Sequence, residues 1–184
     1  MRLVIDTRQQ ADKHNIKDKW FEEHGIETVR KKVDFGDYIL DVEHPTVSVD
    51  TKRSVDEIAQ NISSQHERFK REILRANDNG ARLVILVENK DGYLIVDDLL
   101  PWVNSECKRC RSYFKKECNP CGPGPCTNSK HKSKHKPIQG ARLALAMKTM
   151  STRYGVEWLF CRPEDSAQII YSILKEADGG KEHN

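Results

Sequence analysis

The stretch of sequence that decides the fold is Ala81-Arg82-Leu83-Val84-Ile85-Leu86-Val87-Glu88, in which five apolar residues follow one another without interruption. A short run of this kind, preceded by Asn79-Gly80, predicts a strand that is buried on both faces. Five more strands are predicted around it, at residues 2–5, 26–32, 36–42, 46–51 and 156–161. Helical spacing of apolar residues predicts helices at 10–24, 55–62, 65–77, 137–154 and 163–177. This order of elements favours an α/β fold with a mixed central sheet flanked by helices.

The composition is that of one globular domain, or one domain with an insertion, with a modest core and a charged surface. The chain has 184 residues, of which 37% are hydrophobic and 32% charged, and its formal net charge is +3. No apolar run approaches the roughly 18 residues that cross a bilayer, and Met1–Asp6 becomes charged too early for a secretory signal. We therefore expect an intracellular protein, cytoplasmic or nuclear, with no membrane partner.

Carboxylates recur where the predicted strands end or bend, at Asp6, Asp37 and Asp50. Lys52 follows Asp50 by two positions, so the two side chains point to the same face of a strand. Carboxylates from adjacent strands suit Mg²⁺, which takes oxygen ligands and keeps several waters, and the carbonyl of Thr51 offers a further oxygen. The ammonium of Lys52 would then orient water or stabilise charge on a phosphate. Alternating charge on a solvent-exposed face would give the same triplet, so the pattern alone leaves both interpretations open.

Two segments, Gly36–Leu40 and Val49–Asp56, resemble the signature of the XPF-type structure-specific endonucleases, a branch of the PD-(D/E)XK nuclease superfamily. That signature consists of Gly-Asp, a spacer, Glu-Arg-Lys and an Asp a few residues further on. Val4–Arg8 is similar to the opening strand of the family. Arg68–Glu72 is similar to the arginine-bearing helix that follows the catalytic motif, and Arg153–Val156 resembles the closing segment.

The resemblance covers residues 1–100 and 137–177 and implies a restriction-endonuclease-like fold. It also implies a DNA endonuclease that depends on Mg²⁺ or Mn²⁺ and cuts duplex DNA beside flaps, forks or junctions. By position in the signature, it implies Asp37 and Asp50 as metal ligands and Lys52 as the catalytic lysine.

The remaining acidic and basic residues of the matched segments receive lesser roles. The resemblance implies that Asp6 is an auxiliary catalytic carboxylate and that Asp56 closes the motif. Asp56 equally fits the first turn of a helix that begins after Ser54, where an acidic side chain is stabilised by the helix dipole. Arg8 and Arg68 are the DNA contacts predicted here, and a solvated helix face is the simpler reading of Arg68.

The sequence departs from the family signature at three positions. Asp50 stands where the family usually has Glu, Thr51 replaces the usual Arg, and Gln9 stands where an acid is common.

Family members commonly act as dimers, so the resemblance implies a homodimer or a partner subunit with the nuclease fold. A catalytically inactive nuclease-fold protein that binds DNA or acts as a scaffold is the alternative, which Thr51 keeps open. A small zinc-binding regulator would require the match over residues 1–100 to be accidental.

Positive charge is concentrated in residues 103–136, which carry nine basic and two acidic side chains, a net charge of +7 against −4 for the rest. We predict that this Cys-rich basic insertion interrupts a nuclease domain of residues 1–102 and 137–177, with a disordered tail at 178–184. Its basic side chains would contact DNA phosphates without reading bases, although a solvated linker would have the same composition. The predicted contacts are Lys108, Arg109, Lys132 and Lys134.

Five of the six cysteines lie in this insertion, and the sixth is Cys161. In a reducing compartment, clustered cysteines bind metal more often than they form disulfides. Two Cys-x-x-Cys pairs would suit a structural, tetrahedral Zn²⁺, with Cys126, His131 or His135 able to replace one thiolate. The zinc candidates are Cys107, Cys110, Cys118, Cys121 and Cys126. A reducible disulfide pair and an unstructured loop with free thiols are the alternatives.

Overall fold

The structure is a computed structural model, and it describes residues 1–8, 15–110, 112, 115 and 137–179. Within this part, six strands form one sheet in the order β2-β1-β3-β4-β5-β6. The strands are β1 Arg2–Asp6, β2 Glu27–Lys31, β3 Tyr38–Leu40, β4 Val47–Lys52, β5 Arg82–Glu88 and β6 Glu157–Cys161. Strand β3 pairs antiparallel with β1 and β4, and the other pairs are parallel. The predicted α/β fold with a mixed central sheet is confirmed.

The predicted helices are also found, with their ends shifted by a few residues, except that residues 10–14 of the first predicted helix fall outside the described residues. The helices are α1 Asn15–Glu23, α2 Val55–Ile62, α3 His66–Asp78, α4 Ser105–Lys108, α5 Gly140–Tyr154 and α6 Ser166–Gly179. Helix α5 begins later than predicted because Gln139 has an extended backbone. Helix α4 and a 3₁₀ turn at Val96–Leu99 were not predicted. Among the described helices, none combines the length and the apolar character needed to cross a bilayer.

Helices cover the sheet on both faces, which explains why β5 is apolar along most of its length. Helices α2, α3 and α5 pack on one face around Leu83, Ile85 and Val87. Helices α1 and α6 pack on the other face around Val84 and Leu86. All five side chains are at most 1% exposed, and burying each of them contributes roughly 1.5–3 kcal/mol to stability. Strand β5 is therefore the shared wall of two cores, as its uninterrupted apolar sequence predicts.

The start of α2 is fixed by a cap that the sequence predicts in part. The Ser54 side chain accepts a hydrogen bond from the Glu57 backbone N–H, as in a capping box. The Glu57 carboxylate returns the bond one residue earlier than the usual pattern, because it accepts from the N–H of Arg53 at 2.9 Å. These two bonds set the direction in which the chain leaves β4.

Gly140 is the position where a small residue matters most for the fold. Its N–H donates to the carbonyl of Trp102 at 2.9 Å, and an added Cβ would overlap the carbonyl oxygen of Leu99. We expect Gly140→Ala to lower the free energy of unfolding by about 1–3 kcal/mol, because backbone rather than a flexible side chain fills the space. Urea unfolding measures this loss. Gly179→Ala is the control, since nothing lies within 4 Å of a Cβ there; equal stability of the two variants would contradict the prediction.

Candidate active site

Three acidic residues meet at the carboxyl edge of the sheet, where α/β proteins usually bind ligands. Strands β1 and β4 both run antiparallel to β3, so their carboxyl ends lie at the edge where β3 begins. Asp6 ends β1, Asp50 lies near the end of β4, and Asp37 comes just before β3. The backbone joins them directly: the N–H of Asp6 donates to the carbonyl of Asp37 at 2.8 Å, and the N–H of Asp37 donates to the carbonyl of Val49 at 2.9 Å.

The centre of the site is a buried ion pair between Asp50 and Lys52. The Lys52 Nζ lies 2.8 Å from Oδ1 of Asp50 and 2.7 Å from Oδ2, and the two residues are only 7% and 2% exposed, respectively. The contact with Oδ1 has hydrogen-bond geometry, whereas Oδ2 has no hydrogen-bond partner among the described residues. The ammonium also lies 5.8 Å from the centroid of the Phe69 ring. The structure places Asp50 and Lys52 on one face of the strand, as the sequence predicts.

The protonation of this pair follows from burial and from neighbouring charges. Burial raises the pKa of Asp50 well above its usual value, and the carboxylates of Asp37 and Glu72 raise it further while Lys52 opposes them. Burial alone would lower the pKa of Lys52, but the attraction of Asp50 and Asp37 outweighs burial and raises that pKa. Its acidic neighbours therefore favour the ammonium form of Lys52.

Asp37 is oriented by Thr51, which stands where the family signature usually has Arg. Oδ2 of Asp37 accepts a hydrogen bond from the backbone N–H of Thr51 and another from its hydroxyl, each at 2.8 Å. Thr51 is 7% exposed. The hydroxyl therefore holds one carboxylate oxygen in place.

Asp6 makes local contacts that occupy both of its carboxylate oxygens. Oδ2 accepts from Nε of Arg8 at 2.5 Å, and Oδ1 accepts from the backbone N–H groups of Arg8 and Val33 at 3.2 and 3.4 Å. The same guanidinium donates to the carbonyl of Val33 at 2.6 Å. The structure thus brings Asp6 to the site through its backbone, while its carboxylate and the side chain of Arg8 hold the chain after β1.

Glu72 on α3 is a site residue that the sequence reasoning missed. Its Oε1 accepts a hydrogen bond from the N–H of Gly36 at 3.2 Å, directly before Asp37. Its charge also raises the pKa values of Asp50 and Lys52. The segment that contains it was recognised only for its arginines, and its spacing of three from Phe69 places both residues on one helix face.

The residues present fit a divalent cation held by oxygen. The charges of Asp37, Asp50 and Glu72 all act on the ammonium of Lys52, and Oδ2 of Asp50 is a buried oxygen without a hydrogen-bond partner among the described residues. In the part of the chain that the structure describes, no three His, Cys, Asp or Glu side chains converge closely enough to hold an ion. Two direct carboxylate ligands with waters completing the shell are the arrangement that Mg²⁺ commonly takes.

Comparison with known proteins identifies the family of the chain and its fold. Residues 5–173 match the ERCC4 domain. The chain belongs to the ERCC4 domain family. Two structures of XPF from Aeropyrum pernix, the second in complex with DNA, are similar to this chain with TM-scores of 0.56 and 0.57, each at 17% identity. Each comparison covers 97% of this chain, which spans 65% and 66% of the two XPF chains.

No curated protein matches the chain. The predicted membership of the XPF-type family is confirmed by the ERCC4 domain match, and the predicted fold by the XPF structures. The role of each site residue is taken up below as a proposal.

Asp56 and Arg68, two further residues predicted for the site, bond to other partners than the carboxylates of Asp37 and Asp50. Asp56 accepts a hydrogen bond from the N–H of Ser105 at 2.9 Å, so it joins α2 to α4. Arg68 is exposed and donates to Gln65 at 2.9 Å. Lys108 and Arg109 are exposed at the end of α4. The predicted contacts Lys132 and Lys134 fall outside the described residues.

A cleft of about 980 Å³ lies between α2 and α4, and its lining does not include Asp37, Asp50 or Lys52. Arg53 and Arg109 contribute to its lining, as do Asp56, Glu57 and Glu106. Among the described residues of that lining, acidic side chains outnumber basic ones, so this part of the chain does not by itself form a positively charged groove for DNA. The candidate active site is the group formed by Asp37, Asp50 and Lys52 at the edge of the sheet.

Two of the predicted zinc ligands can be located. Cys107 and Cys110 are buried, at 6% and 8% exposure, on and after helix α4. The Sγ of Cys107 accepts a hydrogen bond from the side-chain NH₂ group of Gln139 at 3.2 Å. The oxygen of the same side-chain amide accepts a hydrogen bond from the N–H of Asn104. The remaining candidates, Cys118, Cys121 and Cys126, fall outside the described residues.

Proposed function

We propose that this chain is the nuclease domain of a metal-dependent endonuclease that hydrolyses phosphodiester bonds at branched duplex DNA. The observation that carries the proposal is the buried Asp50–Lys52 pair beside Asp37, with one carboxylate oxygen of Asp50 left without a hydrogen bond. Membership of the ERCC4 domain family supports it, as does the existence of an XPF structure in complex with DNA. Flap, fork and junction DNA are the proposed substrates.

The proposed chemistry divides between the carboxylates and the lysine. Asp37 and Asp50 would hold Mg²⁺ or Mn²⁺, which supplies Lewis-acid polarisation of the phosphate and activation of water when bound. Lys52, kept protonated by its acidic neighbours, donates hydrogen bonds to the negative charge that develops on the phosphate. Thr51 keeps the carboxylate of Asp37 in one orientation. Asp6 acts on the site through its backbone bond to Asp37.

DNA binding is proposed to come from basic side chains outside the catalytic edge. Arg68, Lys108 and Arg109 are exposed, and we propose that they contact phosphates together with Lys132 and Lys134. The side chain of Arg8 donates hydrogen bonds to Asp6 and to the carbonyl of Val33, so we propose that it stabilises the site more than it contacts DNA. A homodimer, or a partner subunit with the nuclease fold, is proposed as the working assembly.

A structural Zn²⁺ is proposed for the Cys-rich segment. Cys107 and Cys110 form one Cys-x-x-Cys pair with both residues buried, and Cys118 with Cys121 would supply the second pair, Cys126 being the substitute ligand. Elemental analysis of the purified chain should find about one zinc per chain, because four thiolates complete a tetrahedral site. A chain that contains no zinc would contradict this assignment and leave the nuclease proposal untouched.

A cleavage panel tests the proposed function. Labelled flap, fork, four-way junction, single-stranded and unbranched duplex substrates are incubated with the chain in Mg²⁺ and in chelator. We expect cleavage of branched substrates in Mg²⁺ and none in chelator. Binding of branched DNA without cleavage under any divalent metal would instead favour the inactive DNA-binding partner.

Thr51 supplies a milder prediction for the same assay. Thr51→Val keeps the branched shape and removes the hydroxyl that donates to Asp37. We expect cleavage to slow by about 3- to 10-fold, because one hydrogen bond of this kind contributes about 0.5–1.5 kcal/mol. Thr51→Ser restores the donor and should cleave at nearly the wild-type rate. Full activity of Thr51→Val would show that the hydroxyl does not orient Asp37.

A further inference from the structure

Helix α3 presents two side chains to the catalytic edge, Phe69 and Glu72. Residues spaced by three lie on the same face of a helix. The ring of Phe69 lies near the Lys52 ammonium, with 5.8 Å between Nζ and the ring centroid. Glu72, on the same face, reaches the turn that leads into β3 and accepts a hydrogen bond from the N–H of Gly36 at 3.2 Å. Glu72 is therefore held at the site by a specific contact rather than by proximity alone.

The turn that Glu72 contacts is constrained and carries Asp37. Gly36 has a φ of +71°, and an added Cβ would overlap the hydroxyl of Ser48. The next N–H, that of Asp37, donates to the carbonyl of Val49. One oxygen of Glu72 thus fixes the backbone from which the carboxylate of Asp37 extends.

The second carboxylate oxygen of Glu72, Oε2, makes no hydrogen bond within the described part of the chain, and Glu72 is half-buried. Oδ2 of Asp50 is buried without a hydrogen-bond partner among the described residues, and its neighbouring ammonium is that of Lys52. No three His, Cys, Asp or Glu side chains converge in the described residues, so the role that suits Glu72 is contact with the water around an ion rather than with the ion itself.

We propose that Glu72 is a positioning residue of the metal site, holding the Gly36–Asp37 turn through one oxygen and the water shell of the bound cation through the other. The inference rests on the proposed function, because it assumes that Asp37 and Asp50 bind a divalent cation. It adds a helix-borne carboxylate to a site otherwise built from strand ends.

Binding of Mn²⁺ to the full chain without DNA, followed by calorimetry or by the spin-resonance signal of free Mn²⁺, tests the proposal without measuring cleavage. Glu72→Gln keeps an amide oxygen that can accept from Gly36, and it replaces the second, charged oxygen by an uncharged NH₂ donor. We expect its affinity for Mn²⁺ to fall by about 10-fold, the lower end of what loss of an outer-shell group costs. Glu67→Gln, an exposed acid on the same helix, is the matched control and should bind like the wild type.

Each outcome decides the proposal. Weaker binding by Glu72→Gln alone, with unchanged thermal unfolding of the metal-free chain, supports it. Equal affinity of Glu72→Gln and wild type for Mn²⁺ overturns it while leaving the metal-dependent function intact. If Glu67→Gln loses as much affinity for Mn²⁺ as Glu72→Gln does, the proposal is overturned in the same way. If the wild-type chain binds no Mn²⁺, the proposed metal dependence fails and this inference fails with it.

Discussion

Lys52→Met is expected to slow cleavage of branched DNA by about 10²–10⁴-fold, the range seen when a positioned charge or acid–base group is removed. The substitution replaces an ammonium that is 7% exposed and 2.7–2.8 Å from both carboxylate oxygens of Asp50. Methionine keeps most of the volume, so packing against Phe69 is retained. Single-turnover cleavage of a labelled flap measures the loss.

Two further variants make the result specific. Lys70→Met changes a lysine on α3 for which the described residues show no hydrogen bond or ion pair to a site residue, and it should cleave like the wild type. Lys52→Arg should not restore activity, because a planar guanidinium does not fit the buried space of an ammonium. A Lys52→Met chain that cleaves within about threefold of the wild type would remove Lys52 from the mechanism, since such a charge is worth far more.

Glu88→Gln is expected to lower the free energy of unfolding by about 3–5 kcal/mol, because it leaves Lys17 buried without its counter-charge. The Lys17 Nζ lies 2.5 Å from Oε1 of Glu88, both residues are 5% exposed, and the hydroxyl of Ser166 donates to the same oxygen at 2.7 Å. These bonds tie α1 and α6 to the end of β5. Urea unfolding with circular dichroism measures the effect.

Controls for this prediction change Lys17 itself and a second lysine of the same helix, α1. Lys17→Met should destabilise as strongly as Glu88→Gln, whereas the double change Lys17→Met with Glu88→Leu should recover much of the loss, as an apolar replacement of a buried pair often does. Lys19→Met interrupts the exposed pair with Glu23 and should change stability little. Equal stability of Glu88→Gln and wild type would show that the pair contributes nothing to the fold.

The sequence predicts the sheet well because its strands have strong local patterns. The run from Leu83 to Val87 predicts a strand buried on both faces, and the structure places it between two cores. The spacing of Asp50 and Lys52 likewise predicts their shared face, since alternation along a strand is a local property. Helix starts are less certain: α5 begins at Gly140 because Gln139 remains extended, which no residue pattern indicates.

Contacts between distant segments could not be predicted in the same way. Glu72 meets Gly36, 36 positions earlier, and Ser166 meets Glu88, 78 positions earlier. The sequence does not indicate the partner of Glu88, and the structure places it in a buried ion pair on the sheet face opposite Lys52. Such partners are decided by which helix covers which face, and a single sequence holds no local record of that choice.

The most direct test of the central claim is cleavage of a labelled flap substrate by the wild type and by Asp50→Asn, side by side in Mg²⁺. Asparagine has the shape of the aspartate but lacks the negative charge that the proposed ion needs. We predict metal-dependent cleavage by the wild type and no product above background with Asp50→Asn, with circular dichroism used to check that both chains are folded at the assay temperature. Equal cleavage by the two chains, or cleavage by the wild type in chelator, would contradict the assignment of Asp50 to a metal-dependent nuclease site.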